Sequence, residues 1–156
     1  MEKIINIGDK SIKLNNNIGW ALAYRDQFGS DVIPSMMPLV ASALDLMAGV
    51  INETGKTKDI KIEDLLAVFD GDAFINAVAH LGGLELVDFI NITWALNKCA
   101  DDTIPEPKEW VKDFDTFPLD EIAPAVFSLI FKGLISAKNL QRLEGIKENL
   151  QPTTKA

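Results

Sequence analysis

The sequence predicts a mainly α protein, a compact bundle of about six helices with a small N-terminal β-hairpin. Three observations carry that expectation. From Asn17 onward apolar residues recur at spacings of three and four, the period of a helix with one buried face. Only the first fifteen residues are short, β-branched runs separated by turn chemistry. Hydrophobic residues make up 47% of the 156 positions, enough for a substantial core in one domain.

Along the chain, Ile4-Ile5-Asn6-Ile7 and Ser11-Ile12-Lys13-Leu14 flank Gly8-Asp9-Lys10, which reads as a hairpin. A lone hairpin is marginal in water, so it should lie on a helix or pair with another strand or subunit. Ile18, Ala21, Leu22, Arg25 and Phe28 then define a first helix, with Asn17 as N-cap, Gly29 as stop, and Trp20 and Tyr24 on a neighbouring face. Two prolines mark Ser30 to Pro38 as a loop and first helical turn, and a long helix is expected from about Met37 to Asn52. After a polar loop, short helices are expected from Ile62 to Phe69 and from Ala73 to Leu81, separated by Asp70-Gly71-Asp72.

Leu84 to Cys99 is apolar enough to be the central buried helix. Pro105, Pro107 and Pro118 interrupt the acidic stretch that follows. It reads as an extended loop pinned by Trp110, Phe114 and Phe117. Leu119 to Ile135 is a second strongly apolar helix with Pro124 in its first turns. The expected core includes Trp20, Phe28, Leu44, Leu66, Phe89, Trp94, Val126 and Ile130. The organisation is then one domain over 1–150: hairpin 1–15, helical core 17–136 and C-terminal helix 138–150, followed by a disordered tail 151–156.

The formal charge of −8 is unevenly spread. Residues 1–58 hold six acids and six bases, 59–121 fifteen acids and four bases, and 122–156 two acids and five bases. So acidic a middle repels phosphates and argues against nucleic-acid binding. The opposed signs of middle and C-terminal segment favour self-association. No apolar run approaches the roughly 20 residues needed to span a bilayer, so no membrane partner is expected. Met1-Glu2-Lys3-Ile4 lacks an export pattern, and the single Cys99 makes no internal disulfide, both of which suit a reducing cytoplasm.

Catalytic chemistry finds little to work with. His80 is the only histidine, in an apolar helical setting that suits a core or helix-end residue better than a general base. Cys99 has Lys98 beside it but also Asp101 and Asp102, which disfavour a thiolate, so an inert half-buried thiol is expected. Asp70 and Asp72 could offer carboxylates to a divalent ion, but Phe74 and Ala77 to Leu81 occupy the positions where an ion-binding loop would continue, and a turn with an Asp cap explains the motif. No catalytic residue, metal site or cofactor is therefore expected.

Binding features are more numerous. Leu140, Leu143, Ile146 and Leu150 form a narrow apolar stripe that can cap the core or receive another helix. Met36 and Met37 beside two prolines suit either core filling or a surface that accepts apolar segments. The loop 101–121 is either a solvated connection or a docking strip with Trp110 or Phe114 as anchor.

The order of elements resembles a known family. The strand pair Ile4–Ile7 and Ile12–Leu14 leads into the aromatic helix Ile18-Gly19-Trp20-Ala21-Leu22-Ala23-Tyr24-Arg25-Asp26-Gln27-Phe28-Gly29. The segment Trp94-Ala95-Leu96 and the stretch from Pro105-Glu106-Pro107 to Glu109-Trp110 follow. Over roughly residues 2–135 this is similar to the tail assembly chaperones of long-tailed phages and prophages of Gram-positive bacteria. The resemblance implies a non-enzymatic protein of the infected cell's cytoplasm that binds the tape measure protein, keeps it soluble, helps tail tube subunits polymerise around it, and is absent from the mature virion. It also implies, for some members, a longer form made by ribosomal frameshifting. It assigns no binding residues. Two other classes stay open: an acidic DNA mimic acting as an inhibitor, and a divalent-metal-dependent enzyme using Asp70 and Asp72.

Overall fold

The first fifteen residues alternate in a way that a two-stranded ribbon requires. In the computed structural model, which describes residues 1–38 and 84–134, Glu2–Ile7 (β1) and Lys10–Asn15 (β2) pair antiparallel with Ile7 opposite Lys10 and Ile5 opposite Ile12. The two-residue turn needs one left-handed residue. Gly8 supplies it at φ 63°, and its place at the first central position is the II′ pattern that matches strand twist. Ile5, Ile7 and Leu14 point into the core while Ile4 and Lys13 point out. The hairpin lies on helices, as its marginal stability demanded.

Gly19–Phe28 forms the first helix, α1. Its start is fixed by carboxamides: Asn17 Oδ1 accepts from the Gly19 N–H at 3.1 Å, and Asn15 Oδ1 accepts from the Asn17 N–H at 2.8 Å. Ile18, not Asn17, stands at the N-cap. Gly29 closes the helix in the left-handed region at φ 77°. The buried face differs from expectation. Trp20 and Tyr24 are buried with Phe28 packed beside them, while Ile18 and Leu22 face outward. An aromatic row at i, i+4 and i+8 removes more apolar area from water than two aliphatic side chains, so it takes the core side. The next helical segment opens at residue 33, earlier than expected. Asp31 Oδ1 accepts from the Ile33 N–H at 2.9 Å, and Pro34 falls in the first turn.

Leu86–Ala100 (α2) is the central helix that its composition predicts. Asp88 reaches back to accept the Glu85 N–H at 2.8 Å, the return half of a capping box. Phe89, Ile92 and the run from Thr93 to Asn97 are buried. The Thr93 hydroxyl donates to the Phe89 carbonyl at 2.6 Å, so this buried polar group has a partner. α1 runs antiparallel to α2, with Phe28 meeting Trp94 edge-on at 5.7 Å between ring centroids.

The acidic stretch is more ordered than an extended loop. Pro107–Trp110 forms a single-turn helix, α3, with proline in its first turn, and Val111–Asp113 continues as a 3₁₀ turn. Three side chains of α2 hold it: the Trp94 indole donates to the Pro105 carbonyl at 2.9 Å, Lys98 donates to the carbonyls of Ile104 and Asp102, and Asn97 accepts from the Trp110 indole at 3.0 Å. Leu119–Leu134 (α4) starts where expected, runs to the last described residue, and buries Ile122, Ala123, Val126, Phe127, Leu129, Ile130 and Phe131 at helical spacing. Pro124 sits in its second turn. The N–H it lacks would have bonded the carbonyl of Asp120, an exposed residue, where water can take the bond instead.

The architecture is mainly helical with a two-stranded hairpin, and five helical segments fall among the described residues, counting the one that opens at 33. Of the expected core, Trp20, Phe89, Trp94, Val126 and Ile130 are buried and Phe28 is partly so. Leu44, Leu66, the helices placed over 62–81 and 138–150, and the tail 151–156 lie outside the described residues.

Asn97 ties strand to loop. Its Nδ2 donates to the Lys13 carbonyl at 2.7 Å while its Oδ1 accepts from Trp110. Asn97→Leu should destabilise by about 2–6 kcal/mol, because it strands two polar groups at roughly 1–3 kcal/mol each. Urea unfolding followed by tryptophan fluorescence measures this. Combining Asn97→Leu with Trp110→Phe should cost less than the sum of the two single changes; strict additivity would break the pairing argument.

Candidate docking surface

The residues expected to meet a partner are sorted by the structure into three groups. Leu140, Leu143, Ile146 and Leu150 lie outside the described residues, as do Asp70, Asp72 and His80. Met36 and Trp110 are inside. Met36 is 2% exposed and Trp110 3%. Each belongs to the core, the inward one of the two placements that the sequence left open, and little of either side chain is left at the surface. Trp110 is held from two sides, by the Asn97 carboxamide and by Phe114 at 4.7 Å between ring centroids, so what it anchors is the chain's own acidic loop. Met37 is 51% exposed and stays available.

The surface that sequence reasoning missed is on α1. Ile18 and Leu22, 61% and 63% exposed, stand one turn apart on the face turned away from α2. Helical residues four apart are neighbours, so the two side chains form a short apolar ridge. The signal was present in Trp20, Tyr24 and Phe28: once those three take the inside, Ile18 and Leu22 must face out. Arg25 and Asp26, exposed on the next turn, border the ridge with charge.

Electrostatics set the rest of the surface. Every acid from Asp101 to Glu121 is exposed. The Asp101 carboxyl accepts from the Thr103 hydroxyl at 2.6 Å and from the Thr103 N–H at 3.0 Å. Those bonds favour the ionised form and hold it below the ordinary carboxylate range. Tyr24 is shifted the other way, raised first by burial and then by the neighbouring Asp88 carboxylate against the opposing Asn91 hydrogen bond, so it remains a neutral phenol. Among the described residues no group of three or more His, Cys, Asp or Glu side chains could hold a metal ion, and no helix is long and apolar enough to cross a membrane.

Cys99 is half-buried against the start of α1, its Sγ 3.6 Å from the Asn17 carbonyl. Burial pushes its thiol up, outweighing the Trp20 N–H and the N-terminal charge. A raised pKa leaves less thiolate at any pH below it, and alkylation needs thiolate. Iodoacetamide should therefore label native Cys99 several-fold more slowly than the urea-unfolded chain at the same pH. The gap should narrow as pH rises through the raised pKa. Equal rates at mildly alkaline pH would show the site to be open.

Compared with models of known families, with curated proteins and with solved structures, the chain matches none.

Proposed function

We propose that this protein is a non-enzymatic tail assembly chaperone of a phage or prophage. In this reading it works in the host cytoplasm, binds and solubilises the tape measure protein, works alongside tail tube subunits, self-associates, and leaves before the virion matures. The reading includes about six helices in a compact bundle. The observation that supports it best is the Ile18–Leu22 ridge, an apolar docking strip carried on a rigid helix whose opposite face is locked into the core by Trp20 and Tyr24.

Contacts of this size suit a client that must later be released. Burying an aliphatic side chain fully is worth about 1.5–3 kcal/mol, so a two-residue ridge gives weak binding at any one place. Repetition along a long helical client turns weak contacts into useful occupancy, and shedding a few of them releases the whole. The stripe Leu140, Leu143, Ile146 and Leu150 would add a second strip of the same kind. The exposed acids of 101–121 keep such a surface from drawing copies into aggregates.

A second reading, an acidic DNA mimic, is favoured by that same exposed run, in which Asp101, Asp102, Glu106, Glu109, Asp113 and Asp115 all face solvent. It predicts tight binding to DNA-binding proteins that collapses as salt rises.

The chaperone reading is tested by co-expression with the tape measure protein of the same phage. Ile18→Asp with Leu22→Asp should abolish co-purification and leave circular dichroism unchanged, because both side chains are already solvent-exposed. Leu143→Asp with Ile146→Asp tests the C-terminal stripe in parallel. A tape measure protein that stays soluble with both double variants, each folded, removes the proposal.

A further inference from the structure

We propose that two copies of this chain pair through the free edge of β1, antiparallel and centred on Ile4, into one four-stranded sheet. The proposal follows from hairpin geometry and does not depend on the chaperone reading. With a two-residue turn, Ile7 and Lys10 form a hydrogen-bonded pair, and bonded pairs then alternate along the ladder through Ile5–Ile12 and Lys3–Leu14. The intervening residues turn their N–H and C=O groups outward, Ser11, Lys13 and Asn15 on β2 and Glu2, Ile4 and Asn6 on β1.

The two edges are treated differently. On β2 the outward carbonyl of Lys13 accepts the Asn97 carboxamide at 2.7 Å, so α2 occupies that side. On β1, among the described residues, the backbones of Glu2, Ile4 and Asn6 make no hydrogen bond outside the hairpin. Ile4 in the middle of this edge is 67% exposed. An open edge bearing an exposed β-branched residue is a template for strand addition, and no proline, bulge or charge at its centre blunts it.

The occupant that fits is a second copy. A two-fold axis at Ile4 sets Ile4 against its own counterpart and Glu2 opposite Asn6, so the apolar side chains meet and no like charges lie directly across from each other. Charge permits the same place. Two chains of net charge −8 repel, yet residues 1–15 hold three bases and two acids, so the hairpin adds nothing to that repulsion when copies approach through it. Because, among the described residues, α2 covers the β2 edge and no backbone hydrogen bond takes up the β1 edge, the pairing is isologous and closes at two chains without growing into a fibre. A contact confined to one six-residue strand is small beside the about 1,200 Å² of stable complexes, so the dimer is reversible.

Sedimentation equilibrium across a concentration series tests this with the full chain. The wild type should pass from 17.1 kDa to twice that mass. Ile4→Lys puts charge on charge at the axis, and Ile4→Pro deletes an N–H the hairpin itself does not use; each should weaken dimerisation at least about tenfold. Val87→Lys, at a position also exposed but on α2, should leave it unchanged. On the wild type, the amides of Ile4 and Asn6 should exchange slowly at high concentration and fast on dilution, a readout that needs no variant to fold. A wild type monomeric throughout, masses beyond two chains, concentration-independent exchange, or a dimer lost in salt but indifferent to Ile4→Lys would each overturn the proposal. The last would assign association to the opposed charges of middle and C-terminal segment. Because a folded Ile4→Lys chain keeps the Ile18–Leu22 ridge, its tape measure binding reports on the client reading separately.

Discussion

The carboxamide of Asn97 is the junction on which the described structure depends. It stands on the central helix, nearly out of solvent, with one end on the Lys13 carbonyl and the other on the Trp110 indole. A buried amide must find a partner for each polar atom, so it permits only those arrangements in which hairpin, helix and acidic loop all arrive in register. Hydrophobic packing alone would tolerate the hairpin sliding along α2. This pair of bonds does not, because a slip of one residue turns the Lys13 carbonyl away.

Around that junction the polar satisfaction is thorough. No buried side-chain nitrogen or oxygen among the described residues lacks a partner. Trp94 and Lys98 reach from the same helix to the backbone of 102–105, so a stretch rich in repelling acids is held down by contacts to its carbonyls. Its carboxylates remain in water, where charge costs least. Order comes from the main chain and solubility from the side chains.

Much of the fold was legible in the sequence. Gly8-Asp9 between alternating β-branched runs specified the hairpin, and the apolar density of Leu84–Cys99 and Leu119–Ile135 specified the two principal helices with starting points close to those observed. The facing of α1 was not legible by counting apolar spacings, because Ile18, Ala21 and Leu22 fit one stripe as well as Trp20, Tyr24 and Phe28 fit another. Ring size decides between them, which periodicity does not weigh. Trp110 was recognisable as an anchor but not as an internal one, since its partner is a polar residue thirteen positions earlier with no pattern linking the two. Met36 went the same way: a flexible side chain fills a core gap as readily as it lines a surface, and burial alone separates the roles.

Asn16 donates from its side chain to the Leu129 carbonyl at 2.8 Å, across 113 positions, and Gly133 keeps open the space in which it does so, for a β-carbon there would lie 3.1 Å from the Asn16 carbonyl oxygen. Asn97 reaches back 84 positions to Lys13. Among the described residues, the hairpin and the residue after it thus meet partners that follow them by 84 and 113 positions. On the ribosome the hairpin emerges before either of its supporting helices. It must wait, marginally stable, while more than a hundred residues are added at roughly 5–20 per second. At that rate of synthesis nascent chains spend seconds with Ile5, Ile7 and Leu14 lacking these partners. Lys3, Lys10 and Lys13 then supply the waiting hairpin with solvating charge around its apolar residues before any of its final packing exists.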